Sequence, residues 1–542
     1  MPHLHRDRFL WIGGLLALAA SAAIGFGFPD YESGLRSIAQ MYQFDTKAQM
    51  IFREKMLTPE RFRLLRAGLC MLPWVLGLGL YALWRKRAFF SQIRAEGLGG
   101  WASFRKSLHV LGTFQKTTFW TTLGLLCLGR LVLLVQYPQL HLDEANSFVY
   151  LVHRGLGASL AYYPSPNNHL AYTFLAYLAY QGGFSPFWAM KMPALLSGLL
   201  LSALLWSYVW LRCRDFWVAW AAMCFIGLLS ATHTYGLIGR GYILQCLAVL
   251  LAIAALQYWH KGTLPKGLWV GAHVLGFWAV PSYLYAFVVL QGLWWYRFRI
   301  LDKAWLYSHL WIALCVSVLY APVLLAQGGA VLWNNAWVRP MSEGAWWQHL
   351  PDFLYETAAF FWGDALLGLG LSVGFLLLLL VLKPFRILVG LLLVLLVLLY
   401  VQKLLPPARV FTWVSVALAL GYATGLHRFQ TYQKVLLGLL PLLLALQLYN
   451  YPQYYALQGE YRSVTEVLQK LPAKPCRIAT ASDVYLTFIR LEAIEKNHAW
   501  QTYSDVTTQS DFLLLAPHSP APAAYFLCYQ DDFVALWQKV DF

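Results

Sequence analysis

Long apolar runs alternate with short polar segments along the chain, and many of the runs have the length that crosses a bilayer. A spanning helix needs about 20 apolar residues, because every backbone polar group must find its partner within the segment. Candidate runs cover residues 9–28, 64–84, 118–137, 189–211, 216–231, 240–259, 305–326, 364–382, 387–401, 409–426 and 434–449. The stretch 267–297 is longer than one crossing needs and contains Pro281. Proline breaks a helix, so two short spans meeting at Val280–Pro281 are predicted. Leu170–Gly183 is apolar but too short for an ordinary crossing, and reads either as a short span or as an amphipathic helix lying in the interface.

Charge decides between the two. The segment 85–117 carries Arg85, Lys86, Arg87, Arg94, Arg105, Lys106 and Lys116 against the single acid Glu96, the mark of a cytoplasmic loop. With 170–183 interfacial, Arg212, Arg214, Lys261, Lys266, Arg297, Arg299, Lys303, Lys383, Arg386, Arg428 and Lys434 all fall on that same side. Counting 170–183 as a span reverses every one of them. The predicted architecture is an all-α polytopic membrane protein of about 13 transmembrane helices. Its N-terminus lies inside, its C-terminus outside, and it has a large outer loop at 138–188. Loop 29–63 runs against the trend, with Arg36, Lys47, Arg53, Lys55, Arg61 and Arg63 interleaved with acids.

From Asn450 the pattern turns polar. Glu460–Leu471 and Val484–Lys496 read as helices and Arg477–Thr480 and Asp511–Ala516 as strands, which predicts a small extracytoplasmic α/β domain. The expected organisation is a two-span extension with a basic loop (1–117), a transmembrane catalytic domain (118–449) and the α/β domain (450–542).

Composition agrees with the pattern. The 542 residues are 59% hydrophobic and 12% charged, too little charge to cover a water-soluble surface of this size. Twenty-five Trp and 32 Tyr suit aromatic belts at the membrane interfaces. The net charge of +16 sits in short clusters between apolar runs. Retention by an anionic cytoplasmic leaflet explains it better than nucleic-acid binding. Residues 9–28 are too long for a signal-peptide core and are read as a retained span in a bacterial inner membrane. Six cysteines lie in or beside apolar runs; Cys476 and Cys528 lie in the polar C-terminal part, where a disulfide between them is an option. Neither CxxC nor HExxH occurs, so no dedicated zinc site is expected; no cofactor is required, and a divalent metal is left open without support from the sequence.

Three outer segments hold the candidate chemistry. In loop 138–188, His141-Leu142-Asp143-Glu144-Ala145-Asn146 follows a span directly, and Pro164-Ser165-Pro166-Asn167-Asn168-His169 comes later. Partial burial can hold one of a carboxylate pair ready to act as a general base. The plainer reading is that Asp143 and Glu144 cap a helix. Gly239-Arg240-Gly241-Tyr242 places a cation against the charge rule between residues that let an anion or a backbone come close. The plainer reading there is an arginine snorkelling to lipid phosphates. Lys403-Leu404-Leu405-Pro406-Pro407-Ala408-Arg409 supplies two more outer cations suited to a phosphate, and Lys191 stands at the mouth of another span. Arg130 sits within span 118–137 and needs a partner or water there.

Residues 118–450 resemble the GT-C superfamily of polyprenyl-phosphate-dependent glycosyltransferases, the group of the protein O-mannosyltransferases and lipid A aminoarabinose transferases. The resemblance rests on Asp143-Glu144-Ala145 after a span and on Phe187-Trp188-Ala189-Met190-Lys191-Met192-Pro193 opening another. Gly239–Tyr242 and Pro407-Ala408-Arg409 complete it. Asn167-Asn168-His169 stands where relatives often show His-Pro-Pro or Lys-Pro-Pro, and Lys191 where Arg is usual. The resemblance implies that Asp143 is the catalytic acidic residue, with Glu144 supporting it. It also implies that Asn168, His169, Lys191, Arg240, Tyr242, Lys403 and Arg409 serve the lipid-linked sugar donor. The expected partners are that donor, membrane lipids and a glycan, lipid or protein acceptor, with no nucleic acid. A transporter or flippase would instead favour midplane ionisable residues, and a polysaccharide polymerase or ligase would not need the acidic pair. A non-enzymatic scaffold would tolerate loss of both Asp143 and Arg240.

Overall fold

The computed structural model describes residues 59–85, 107–163, 168–258, 266–299, 303–327, 340–382, 385–456, 459–504, 510–519, 524–532 and 534–540, with isolated positions elsewhere. The predicted span 9–28, most of the basic loop 85–117 and Pro164–Asn167 lie largely or wholly outside these residues. In chain order the helices are α1 (Pro59–Arg85), α2 (Thr113–Gln136), α3 (Leu142–Ser147), α4 (Leu156–Ala161), α5 (Leu170–Gln181), α6 (Pro186–Cys213), α7 (Phe216–Leu228), α8 (Ser230–Tyr235) and α9 (Tyr242–Tyr258). They continue with α10 (Lys266–Ala279), α11 (Tyr283–Phe298), α12 (Lys303–Gln327), α13 (Glu343–Trp362), α14 (Ala365–Val381), α15 (Arg386–Gln402) and α16 (Val414–Arg428). Last come α17 (Gln433–Leu437), α18 (Leu439–Ala456), α19 (Gly459–Leu468) and α20 (Asp483–Lys496). Five strands, β1 (Arg477–Ala479), β2 (Gln501–Tyr503), β3 (Phe512–Leu515), β4 (Tyr525–Gln530) and β5 (Ala535–Lys539), accompany the last helix.

Side-chain caps mark several helix starts. Ser185, Asp215, Ser342, Asp364 and Ser482 each accept a backbone N–H of the first turn that would otherwise lack a partner. The C-caps are less usual. Arg214, Arg299 and Lys403 close α6, α11 and α15 at positive φ of 56°, 51° and 53°, where glycine is the common choice. A cation there meets the negative end of the helix dipole, which offsets part of the backbone strain.

Among the described residues, Thr113–Gln136, Pro186–Cys213, Trp305–Leu324 and Gln430–Asn450 are long and apolar enough to cross a membrane. The pair α13–α14, bent by 85°, makes a fifth if it counts as one span. Phe216–Leu228, Tyr242–Gln257, Gly267–Ala279 and Arg386–Gln402 are apolar but shorter. The charge rule predicts 13 spans; four or five of the described helices have the length and apolarity for one, and the shorter ones fall below the length of an ordinary crossing. Exposed Leu366, Val373, Leu377 and Val381 on α14, and Leu393, Val394, Val397 and Val401 on α15, are uncharged apolar surfaces that suit contact with lipid. The chain is a helical membrane protein with a small sheet near its C-terminus.

The expected break at Pro281 is present, α10 ending at Ala279 and α11 starting at Tyr283. No apolar run announces α13. It carries Glu343, His349, Asp352 and Glu356 and turns into α14 at Gly363, whose φ is +91°.

The chain divides into two compact units. The first comprises residues 1–111, 160–168 and 247–340. Within it α12 packs against α10 and α1, and the Tyr320 hydroxyl donates to the Phe277 carbonyl at 2.7 Å. The second comprises 112–159, 169–246 and 341–542. Its centre is α6, 61% of whose apolar window is buried, packed on α7, α5 and α2. Phe225 of α7 stacks on Tyr422 of α16 at 4.5 Å, with Trp362 and Phe375 closing around it.

The C-terminal sheet belongs to this second unit and has the order β2-β1-β3-β5-β4. β2, β1 and β3 run parallel, and β5 and β4 continue antiparallel. Helix α20 forms the crossover that a parallel β1–β2 pair requires. The four predicted elements are present, and β2, β4 and β5 are additional. Cys476 and Cys528 are both free. One precedes β1 and the other lies on β4, strands separated by β3 and β5, so roughly 14 Å of sheet stands between them and no bridge can form.

Gly363 offers a direct test of the α13–α14 bend. Asn450 donates to its carbonyl, and an added Cβ would meet Asn450 Nδ2 at 2.7 Å. Gly363→Ala is expected to cost about 1–2 kcal/mol from the left-handed backbone alone. Thermal unfolding in detergent should show a lower midpoint; an unchanged midpoint would mean that the bend is not held at this residue.

Candidate functional site

The site is built around the single turn of α3. His141 is its N-cap: the Nδ1 atom accepts from Asp143 N at 3.3 Å, while Glu144 reaches back to His141 N at 2.8 Å. This is a reciprocal capping box, so the plainer reading holds for Glu144. Glu144 does more than cap. It is fully buried, receives Lys191 Nζ of α6 at 2.6 Å, and accepts from the backbone N–H of Gly239. Three donors from three parts of the chain compensate a charge that burial would otherwise make costly.

Gly239 is required by this packing. A Cβ there would lie 2.5 Å from the Met190 carbonyl and 2.8 Å from Glu144 Oε1. Two residues on, Gly241 N donates to His169 Nδ1 at 3.1 Å. What approaches the Gly-Arg-Gly backbone is therefore Glu144 on one side and His169 on the other. Arg240 is pinned between them, its side chain 5% exposed, with Nη2 3.6 Å from Asp143 Oδ2. That separation exceeds a hydrogen bond and makes this a charge–charge contact. Asp143 remains 35% exposed, whereas Glu144 is sealed.

His169 caps α5 and is buried. Burial, reinforced by Arg240 and Arg409, holds its imidazole well below the usual histidine range. Because Nδ1 accepts from Gly241, the neutral ring carries its proton on Nε2 and presents a donor there. The ring meets Tyr242 edge-on at 4.9 Å, and Tyr242 packs on Tyr235 at 4.7 Å. Arg409, in the 3-10 turn Ala408–Phe411, hydrogen-bonds the Tyr242 side chain and feels the charge of Asp143.

Asp143, Glu144, His169, Lys191, Arg240, Tyr242 and Arg409 thus gather in one place. Two candidates are engaged elsewhere. Lys403 lies over the Tyr400 ring at 3.7 Å and pairs with Glu343 at 3.7 Å. Asn168 is buried and donates to the Tyr162 carbonyl at 2.7 Å. Lys191 joins the cluster but is committed to Glu144. Arg130 is buried, with Nη2 donating to the Gly227 carbonyl at 3.3 Å and Nε and Nη1 unpartnered among the described residues.

Sequence reasoning did not single out His141 and Tyr235 as site residues. His141 opens the acidic stretch, where a polar cap before an acidic pair was the available signal, and Tyr235 lies four residues before Gly239. Among the described residues no three His, Cys, Asp or Glu side chains gather as a metal ion would need. The arrangement can accept a proton at Asp143, donate one from His169 Nε2, and hold an anion between Arg240 and Arg409.

Lys191→Met or Glu144→Gln alone should be strongly destabilising; leaving the lysine or carboxylate partner unpaired costs about 3–5 kcal/mol. The double variant should lose less than the sum, because neither charge is then orphaned. Additive losses in thermal unfolding would mean the pair is not coupled. The sign for His169 follows from its depressed pKa: unfolding lets the ring take up a proton below its ordinary pKa of 6.5. Stability should therefore rise with pH between about 5 and 7. His141 and His153 are also lowered by burial and pull the same way. The measure is the difference in slope, which His169→Gln should flatten and an equal slope would refute. No family model, no curated protein and no solved structure matches this chain in comparisons of its sequence and fold.

Proposed function

We propose that the protein is an integral membrane glycosyltransferase of the GT-C type, moving a sugar from a polyprenyl-phosphate carrier to an extracytoplasmic hydroxyl. The observation that carries this reading is the convergence of one partly open carboxylate, Asp143, with Arg240 and Arg409, residues drawn from three distant segments. In the reaction the acceptor oxygen attacks the anomeric carbon from the face opposite the phosphate and inverts it. The bond from that carbon to the phosphate oxygen breaks, and its electron pair leaves with the polyprenyl phosphate. Asp143 takes the acceptor proton. Arg240 and Arg409 neutralise the departing phosphate, the kind of electrostatic term that removal of a single donor often changes by several kcal/mol. In this reading His169 Nε2–H donates to the same group. Glu144 and Lys191 fix the geometry and touch neither reactant.

In this reading the chain crosses a bacterial inner membrane about 13 times, with the N-terminus in the cytoplasm and the site and α/β domain on the outer face. A transporter has Arg130 in its favour, a buried cation with unpartnered nitrogens. Purified protein in lipid would be assayed with radiolabelled polyprenyl-phosphate sugars. Asp143→Asn is expected to abolish turnover with donor binding retained, and Arg409→Met to lower kcat about 10²–10³-fold. Lys403→Met should stay near wild type. Turnover equal in Asp143→Asn and wild type would remove Asp143 as base, and donor movement across the bilayer without sugar transfer would favour the transporter.

A further inference from the structure

The carboxylate turn is a single turn of helix, too short to hold its own shape. Its N-terminal side is fixed by Glu144 through Lys191, Gly239 and His141. Its other side is met by the C-terminal domain. Helix α20 packs on α3 and on the π-helical turn Phe148–Val152 that follows it. Two polar links cross this contact. Thr487 Oγ1 lies 2.8 Å from Asn146 Oδ1, and Arg490 Nη1 donates to the Tyr150 hydroxyl at 3.1 Å, with its guanidinium over the same ring. Arg490 Nε also donates to Thr502 Oγ1 of β2 at 3.2 Å. The guanidinium is therefore a strut running from the sheet to the turn. Asn146 follows Asp143 by three residues, which puts both on one side of α3.

The Thr487 hydroxyl has one proton and two acceptors in reach, Asn146 Oδ1 and the Asp483 carbonyl at 2.9 Å. Turning the Asn146 amide over lets its N–H₂ donate to the hydroxyl while the hydroxyl serves the carbonyl. Either arrangement ties α20 to the turn.

We propose that the C-terminal domain holds the carboxylate turn in its working orientation, with Thr487 and Arg490 as positioning residues for Asp143. For its activity readout this rests on the glycosyltransferase reading. The domain is then a structural part of the site, and its removal would impair catalysis even with every membrane helix intact.

The test uses the full-length protein in lipid, with Thr487→Val, Arg490→Met and Tyr150→Phe, read by hydrogen exchange and by sugar transfer. The expected result is faster exchange confined to residues 142–152 and a fall in kcat of about ten- to a hundred-fold, the scale of a small misplacement. The donor KM should stay within about two-fold, since Arg240 and Arg409 are untouched. Thr487→Ser should restore both readouts. Exchange and kcat equal to wild type in Arg490→Met and Thr487→Val would overturn the proposal. If Arg490→Met also loosens the sheet, Tyr150→Phe removes the same bond from the turn side, and unchanged exchange at 142–152 there overturns it. If wild type transfers no sugar, the glycosyltransferase reading falls by itself. The exchange arm then decides alone, faster exchange at 142–152 supporting the strut and unchanged exchange refuting it.

Discussion

A carboxylate with no exposed surface has to be surrounded by donors, and Glu144 organises the site by that need. It draws in an ammonium from α6, a backbone amide from the Gly-Arg-Gly stretch and the amide of its own cap. Each donor brings its neighbours. Lys191 fixes the start of α6, Gly239 carries Arg240 into place beside Asp143, and His141 sets the direction of α3. The buried residue is thus the scaffold of the cluster, and its neighbour Asp143 is the one left partly exposed. In the proposed reaction the adjacent carboxylates take opposite duties because one is sealed and the other partly open.

This division was only partly legible in the sequence. Asp143-Glu144 after a span and Arg240 against the charge rule drew attention because composition makes them conspicuous. Their neighbours Tyr242, His169 and Arg409 followed from the same outer segments. The Lys191–Glu144 pair was not legible as a pair. Its members lie 47 residues apart, and a cation at a span mouth reads equally well as a phosphate ligand. The contacts of Lys403 were hidden for the same reason, since nothing local reveals its pairing with Glu343 and Tyr400.

The fold was legible where hydrophobicity is continuous and obscure where it is not. Pro281 announces its break because the ring cannot occupy a helix interior at no cost. Helix α13 carries acids and a histidine within its length, so no apolar run marks it, and its packing beside α14 decides it. Strands β4 and β5 are short and lack a clean apolar–polar alternation; β5 pairs on the edge that β3 offers, and β4 pairs on β5. Counting spans depends on the same limit. A helix of 13 to 17 residues can be wholly apolar and still leave its crossing undecided by length and composition.

The π-helical turn Phe148–Val152 has a consequence for chain length. Its closing bond runs from His153 N to the Phe148 carbonyl, five residues back, so the turn holds one residue more than an α-helix would. A one-residue deletion there would turn the wide turn into an ordinary α-helical one, its closing bond spanning four residues instead of five. Tyr150 lies within that turn, so its direction toward Arg490 depends on the extra residue. A relative lacking that residue would need a different way to seat its C-terminal domain, and the position of this one extra residue is where an insertion or deletion history should be sought.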